Sequence, residues 1–331
     1  MEEMDLHQVP EAIKDLEKKV MQGNELSKEE ANFIASIPDD KIFALIASAN
    51  NLRNYFRKNN VSLCSIINAK SGLCSEDCAF CAQSSKSKAK IEIYPLLNKA
   101  TIIEKASELY RSGAKRFSIV TSGRSLSPKN LSEIAGIIPD IKKIGLVPCA
   151  SLGFLSEENL KSLKKAGLER YHHNIETSEA FFKKICTTHS YKDKLETIHA
   201  AFSAGLSVCS GGIFGMGETW ADRIDMAFTL KYLNVDSIPL NFLIPIKGTP
   251  LGERKLLHPF EALKIISLYR FILPEKEIRV CGGRLQVLSE FNSLVFAAGA
   301  DGIITGNYLT TPGKKPDEDL NLVHLYGLSL S

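Results

Sequence analysis

Apolar positions recur at helical spacing from the amino terminus to about residue 58. Ser27 followed by Glu30 has the form of a capping box, and Phe33, Ile34 and Ile37 follow at helical spacing. No strand pattern occurs in this stretch. Beyond it, short β-rich runs alternate with helical ones. The predicted strands are 62–68, 116–122, 146–152, 170–176, 206–213, 237–244, 277–281 and 302–306. The helices between them carry start and stop signals. Ser127-Pro128 opens one, and Ser156 caps a run with Leu160 and Leu163 that ends at Gly167. Leu195, Ile198 and Phe202 lead to Gly205, His258-Pro259 opens another helix, and Ser289 precedes Leu294, Val295, Ala298 and Gly299.

Eight strand–helix units in one direction predict an α/β fold, a (β/α)8 TIM-type barrel with an N-terminal helical extension. A doubly wound open sheet is the alternative, weakened by the lack of G-x-G-x-x-G after the first strand. The boundaries expected are a helical extension over 1–58, a barrel over 59–312 and a C-terminal tail over 313–331. In a barrel, chemistry sits at the carboxyl ends of the strands.

Composition changes this picture little. With 331 residues and 44% apolar content the chain can bury a sizeable core. A formal charge of +3 gives no reason to expect nucleic acid, and the short run Lys86, Lys88, Lys90 reads as a solvated loop. The acidic start Met1-Glu2-Glu3-Met4-Asp5 has no apolar signal region, and no run approaches the roughly 18 apolar residues of a membrane span. A cytoplasmic location is expected, without a membrane partner. Eight cysteines there point to metal, catalysis or inert core thiols rather than a disulfide framework.

Three of those cysteines lie directly after the first strand, in Cys74-Ser75-Glu76-Asp77-Cys78-Ala79-Phe80-Cys81. Three thiolates so closely spaced can bind three irons of a cubane and leave the fourth open, whereas an electron carrier usually has four protein ligands. A zinc knuckle would want a fourth Cys or His close by, and the nearest downstream histidine is His172.

The C-x3-C-x2-C motif with Phe80 before its last cysteine resembles the radical S-adenosylmethionine (SAM) superfamily. That resemblance implies a 4Fe–4S cluster on Cys74, Cys78 and Cys81, with SAM chelating the open iron and being cleaved to a hydrogen-abstracting 5′-deoxyadenosyl radical. Four further segments narrow it: 148–153 (Pro-Cys-Ala-Ser-Leu-Gly), 171–178 (Tyr-His-His-Asn-Ile-Glu-Thr-Ser), 208–219 (beginning Val-Cys-Ser-Gly-Gly-Ile), and Ile238-Pro239-Leu240-Asn241 with Lys247-Gly248-Thr249-Pro250-Leu251. Together they resemble the biotin synthase family, from about Val61 to Gly306. The implied reaction inserts sulfur from a second, auxiliary iron–sulfur cluster between two saturated carbons of dethiobiotin. The implied partners are dethiobiotin, SAM and a flavodoxin- or ferredoxin-type electron donor, and homodimers are common in the family.

The family's auxiliary cluster is a 2Fe–2S on three cysteines and an arginine. The resemblance assigns Cys149, Cys209 and Arg284 to three of these places. The fourth departs from the pattern, because the family's Arg-Phe-Cys is here Arg116-Phe117-Ser118. A hydroxyl is a harder ligand than a thiolate. Either Ser118 ligates weakly or the cluster is a variant, with Cys64 on the neighbouring first strand or Cys186 as replacement. Cys281, three residues from Arg284, would face away from a barrel that Arg284 points into.

Asn174 and Glu176, two apart on the fourth strand, can both point inward. The resemblance places them on the SAM ribose, with Asn174 also reaching dethiobiotin, and places Asn241 on the ureido ring. Gly211-Gly212 would let backbone approach a ligand, or mark a bulge. Arg116 is expected to reach a carboxylate or the cluster region, His172 and His173 to pack, and Trp220 to pack a helix. Two other classes stay open: another radical SAM enzyme of the same subgroup, such as a hydrogenase maturase or methylornithine synthase relative, and a non-catalytic iron–sulfur carrier.

Overall fold

Eight parallel strands close into a barrel in the computed structural model, which describes residues 8–309 and 313–330. The chain begins with helices α1 (Val9–Met21), α2 (Lys28–Ser36) and α3 (Ile42–Arg57). Ser27 and Glu30 form the capping box at the start of α2, each side chain accepting from the other's backbone N–H. α3 packs on α1 and on a barrel helix, α10 (Pro259–Ile272), so its apolar face closes part of the barrel's outer shell.

The barrel strands are β1 (Asn60–Lys70), β2 (Arg116–Thr121), β3 (Val147–Ser151), β4 (Arg170–His172), β5 (Ser207–Cys209) with its continuation β6 (Gly212–Phe214), β7 (Ser237–Phe242), β8 (Glu277–Val280) and β9 (Gly302–Ile304). β9 pairs with β1 and closes the ring. α4 (Lys99–Arg111), α5 (Pro128–Ile144), α6 (Glu157–Lys165), α7 (Glu179–Phe182), α8 (Tyr191–Ser203), α9 (Trp220–Tyr232), α10 (Pro259–Ile272) and α11 (Arg284–Leu288) connect them. The caps act as the residues dictate: the Ser127 hydroxyl accepts from the Asn130 N–H ahead of Pro128, and Gly145 ends α5 at φ 101°. After residue 313 come α12 (Pro316–Leu325) and β10 (Ser329–Leu330), which pairs with the first residues of β1.

Three expectations are corrected. The fourth strand ends at His172, so Asn174 and Glu176 lie in the loop beyond it. The fifth breaks at Ser210-Gly211 into β5 and β6. The helix expected after Ser289 is a 3-10 turn over Ser289–Leu294, because the α-helical residues come earlier, in α11.

Inward alternation on parallel strands leaves polar groups at the barrel floor. Glu277 accepts from Arg170 at 2.7 Å and from Arg279, which also donates to Ser62 at 3.0 Å. Burial alone would raise the Glu277 carboxyl, but Arg279 and Arg170 hold it well below the usual carboxylate range. A depressed carboxyl contributes stability above its ordinary value of 4.5, and that contribution is lost as pH falls toward the lowered one. Glu277→Gln leaves two buried guanidiniums without their counter-charge and is expected to cost about 3–5 kcal/mol. Urea melts at neutral pH measure that loss. Below the ordinary carboxylate value the gap to wild type should narrow.

Candidate functional site

A cavity of about 420 Å³ opens at the carboxyl ends of the strands. Alternate side chains line it: Cys64 and Ile66 from β1, Ser118 and Val120 from β2, Cys149 and Ser151 from β3, Arg170 and His172 from β4, Cys209 from β5, Pro239 and Asn241 from β7, and Arg279 from β8. The loop after β1 brings Cys74, Cys78, Phe80 and Cys81 to the same chamber.

That loop leaves β1 through Gly72 and Leu73, both at positive φ. The Gly72 carbonyl accepts from the Ser122 hydroxyl at 2.6 Å, and its N–H donates to the Gln83 side chain at 3.2 Å. Cys74 exchanges backbone hydrogen bonds with Gln83 and Ser85, and the Cys81 N–H donates to the Cys78 carbonyl at 2.9 Å. Glu76 and Asp77 tie the far side down: Asp77 accepts from the N–H groups of Thr187 and Thr188, and Glu76 from the Thr188 hydroxyl at 2.8 Å. Two short local motifs are thereby held rigidly against each other.

The three loop sulfurs do not all lie within 4.8 Å of one another. Among the described residues a single group does, Cys78 with Cys186 and His189. Three soft thiolate donors on a loop at the cavity mouth, spread more widely than one ion needs, fit a multi-iron cluster.

Deeper in the barrel, Cys64, Cys149, Cys209 and Cys281 are all buried and all face the cavity. Burial pushes the Cys149 thiol up to about 12, against the pull of the Arg116, Arg170 and Arg279 charges. Burial likewise raises Cys64 and Cys209, with Arg279 opposing in both. The interior thus combines soft donors with the cationic side chains of Arg116, Arg170 and Arg279. Arg279 Nε is buried with no hydrogen-bond partner among the described residues. Ser118 lies level with Cys149 on the adjacent strand. This donor set fits an auxiliary iron–sulfur cluster.

Two assignments are reversed by β8. Glu277, Arg279 and Cys281 alternate inward, and the strand ends before Gly282-Gly283, with Gly283 at φ 77°. The turn breaks the parity on which an inward Arg284 depended. Arg284 opens α11 instead, outside the cavity lining, and donates to both Asp319 oxygens at 2.9 Å and to Asn292 at 2.9 Å. Arg284 is therefore not placed to ligate a cluster; Arg279 occupies the interior, and Cys281 faces inward with it. The sequence signal that could have found Arg279 is its two-residue spacing from Cys281. Cys186 is not with the interior thiols: its sulfur lies 3.9 Å from that of Cys78.

Asn174 and Glu176 converge at the mouth. The Asn174 carbonyl accepts from the Gly211 N–H at 3.1 Å and its amide donates to Glu176 at 3.3 Å. Glu176 has φ 72°, a conformation costly for a side chain with a Cβ, held by bonds to Gly211 and Ile213. Lys194, a buried cation that periodicity did not flag, stands 3.8 Å from its carboxylate. Asn241 donates to the Gly212 carbonyl at 3.1 Å and accepts from the Gly282 N–H at 3.0 Å, which fixes its amide orientation.

The glycine pair accommodates neighbouring backbone rather than a ligand. A Cβ on Gly211 would lie 2.1 Å from the Pro239 carbonyl oxygen, and one on Gly212 2.3 Å from that of Glu176. Gly212→Ala is expected to displace Glu176 and destabilise the fold by about 1–3 kcal/mol. Urea melts of the variant against wild type check this.

His172 lines the cavity with its Nδ1 3.4 Å from Cys209 Sγ, and burial lowers it to about 4, so the ring is neutral near pH 7. His173 faces the other way, edge-on to Phe154 at 5.0 Å. Arg116 contributes charge toward the interior thiols from the start of β2. Trp220 begins α9 under the Arg223 guanidinium at 4.6 Å, the packing role expected. No helix among the described residues is long and apolar enough to cross a membrane.

The chain is similar to known proteins over nearly its whole length. The radical SAM superfamily domain matches residues 70–230, and the biotin and thiamin synthesis associated domain matches residues 239–329. The chain is 54% identical to a biotin synthase of Thermodesulfovibrio yellowstonii, over 91% of this chain and 95% of that one. It is 46% identical to one of Pelotomaculum thermopropionicum, over 93% and 97%. In fold it is similar to methylornithine synthase (TM-score 0.83, 20% identity, 96% of this chain and 97% of that one). It is also similar to an FeFe-hydrogenase maturase of Carboxydothermus hydrogenoformans (TM-score 0.82, 17% identity, 97% and 79%). With a site of this form and identity at this level over nearly the whole length, the chain belongs to the biotin synthase family of radical SAM sulfur-inserting enzymes.

Proposed function

We propose that Cys74, Cys78 and Cys81 hold the 4Fe–4S cluster at the cavity mouth, and that Cys64, Cys149, Cys209 and Cys281 hold the sulfur-donating auxiliary cluster beneath it. The observation that carries this is one chamber of about 420 Å³ lined by both thiol sets. Ser118 then need not ligate, since two thiols absent from the family pattern, Cys64 and Cys281, share the interior with Cys149 and Cys209. Four thiolates can hold either a 2Fe–2S cluster or a cubane-sized one. When bound, the two clusters supply the electron that cleaves SAM and the sulfur that is inserted.

The protein's own groups do the remaining work. Glu176 accepts from the vicinal ribose hydroxyls of SAM, and Asn174, already bonded to Glu176, sets its angle. Phe80 covers the adenosyl group's side of the loop. Asn241, its amide oriented by backbone, meets the cyclic urea of dethiobiotin, which needs a donor and an acceptor together. Arg279 and Arg170 offset the negative charge of the interior thiolates, and neutral His172 keeps a polar contact on Cys209. Ile66, Val120, Ile213, Leu243 and Ile304 wall the chamber with apolar surface, which excludes water from a hydrogen-abstracting species. An acidic flavodoxin or ferredoxin as electron donor, a homodimer and a cytoplasmic location complete the reading on family grounds.

The test is anaerobic reconstitution with iron and sulfide, then SAM, a low-potential reductant and dethiobiotin. Biotin together with deoxyadenosine is expected, with the iron count separating a 2Fe–2S auxiliary cluster (about six irons per chain) from a cubane-sized one (about eight). Deoxyadenosine without biotin from fully iron-loaded protein would instead move the substrate assignment toward another member of the subgroup.

A further inference from the structure

Cys186, His189 and Glu76 take no part in the chemistry above, yet they form a buried, ordered group. Cys186 is 5% exposed, His189 8% and Glu76 6%. Cys186 Sγ lies 3.9 Å from Cys78 Sγ and 3.3 Å from His189 Nδ1. The ligand atoms of Cys78, Cys186 and His189 all fall within 4.8 Å of one another. Glu76 Oε2 pairs with His189 Nδ1 at 2.5 Å and leaves Nε2, 3.7 Å from Cys186 Sγ, as the ring nitrogen open to a metal; Asp77 Oδ1 is 3.3 Å from Cys186 Sγ. The histidine ring is wedged between Phe154 at 5.0 Å and Phe182 at 5.6 Å. The Ala79 N–H donates to the Ile185 carbonyl at 2.8 Å and fixes the two loops in register.

These spacings are those of one tetrahedral ion. Metal–sulfur bonds near 2.3 Å and metal–nitrogen bonds near 2.0–2.1 Å place sulfurs about 3.8 Å apart and sulfur about 3.6 Å from nitrogen. Two thiolates and an imidazole are three donors of a thiophilic divalent cation, and the Glu76 carboxylate, on the ring's other nitrogen, fixes the tautomer. Cys78 belongs to the 4Fe–4S cluster in the reading above, on which this inference rests, so the two occupancies exclude one another in time. We infer that the cluster-free chain binds a single divalent transition-metal ion at Cys78, Cys186 and His189, and that this is where iron first lands on its way into the cluster. Zinc would compete for the same donors. On assembly Cys78 passes to the cluster and leaves Cys186 and His189 as a half-site.

Anaerobic titration of the full-length, cluster-free chain with Co2+ tests the site. One tightly bound ion with a thiolate-to-cobalt charge-transfer band and tetrahedral ligand-field absorption is expected. Cys186→Ser and His189→Asn should each weaken it at least as much as loss of an outer-shell partner does, about 10–100-fold. Cys74→Ser should leave it in place, although that variant cannot build the 4Fe–4S cluster. X-ray absorption of the wild-type cobalt adduct needs no variant, and should show two sulfurs with at least one nitrogen. Three sulfurs, or cobalt binding lost in Cys74→Ser and kept in Cys186→Ser, would overturn the site in favour of the loop thiols alone. For the iron route, Cys186→Ser with limiting Fe2+ and sulfide should fill the 4Fe–4S cluster more slowly but to the wild-type level, the level reached with excess iron showing that the variant folds. An unchanged rate would refute the landing role.

Discussion

Cys149→Ala is expected to go on cleaving SAM to deoxyadenosine while biotin formation falls by at least about a thousandfold, about 4 kcal/mol in the barrier. The thiol sits at the centre of β3, level with Ser118 and facing the cavity, and its surroundings already press on it. Burial raises it, three guanidiniums oppose, and its weak backbone contact is the Val147 carbonyl at 3.7 Å. A thiol so placed gains a strong partner only by ligating metal, whereas alanine in its place removes one sulfur and little packing. The loop cysteines come from a separate segment and do not depend on it. Deoxyadenosine and biotin quantified from one reaction should therefore separate. The same measurement on Cys64→Ala and Cys281→Ala ranks the two thiols proposed to stand in for the missing family cysteine. If either behaved as wild type with its auxiliary iron intact, that residue would leave the ligand set.

Cys81→Ser should remove both products together. In the reading proposed above three protein sulfurs hold the mouth cluster, so losing one would strip an iron of its soft ligand, and a hydroxyl is a poor substitute. The loop itself should persist, because Glu76 and Asp77 anchor it to the 187–189 segment through bonds that do not involve Cys81. The expected result is a folded protein, by circular dichroism, whose reduced form lacks the SAM-sensitive paramagnetic signal. Deoxyadenosine and biotin should both be at background. Deoxyadenosine surviving in this variant would mean that the mouth cluster rests on a different trio, with Cys186 the thiol next to hand.

Much of this was legible in the chain. The barrel follows from strand and helix periods that repeat locally, and from caps such as Ser27, Ser127 and His258 that act within a few residues of themselves. The cysteine loop is equally local, since its spacing and its place at a strand end are both visible in one segment. Inward-facing Cys149 and Cys209 follow from alternation within single strands.

The tertiary structure decided what depended on parity across a turn or on two distant segments meeting. Counting on from Cys281 to Arg284 assumed an unbroken strand, but the Gly282-Gly283 turn ends it and sends Arg284 to Asp319, thirty-five residues away. Arg279 took the interior because two residues preserve a face of a strand and three do not. The same limit hid the meeting of Cys186 with Cys78, across 108 positions of sequence, and the approach of Lys194 to Glu176. Periodicity determines which way a side chain faces within its own element; which side chains then share a chamber is set only by the closure of the barrel.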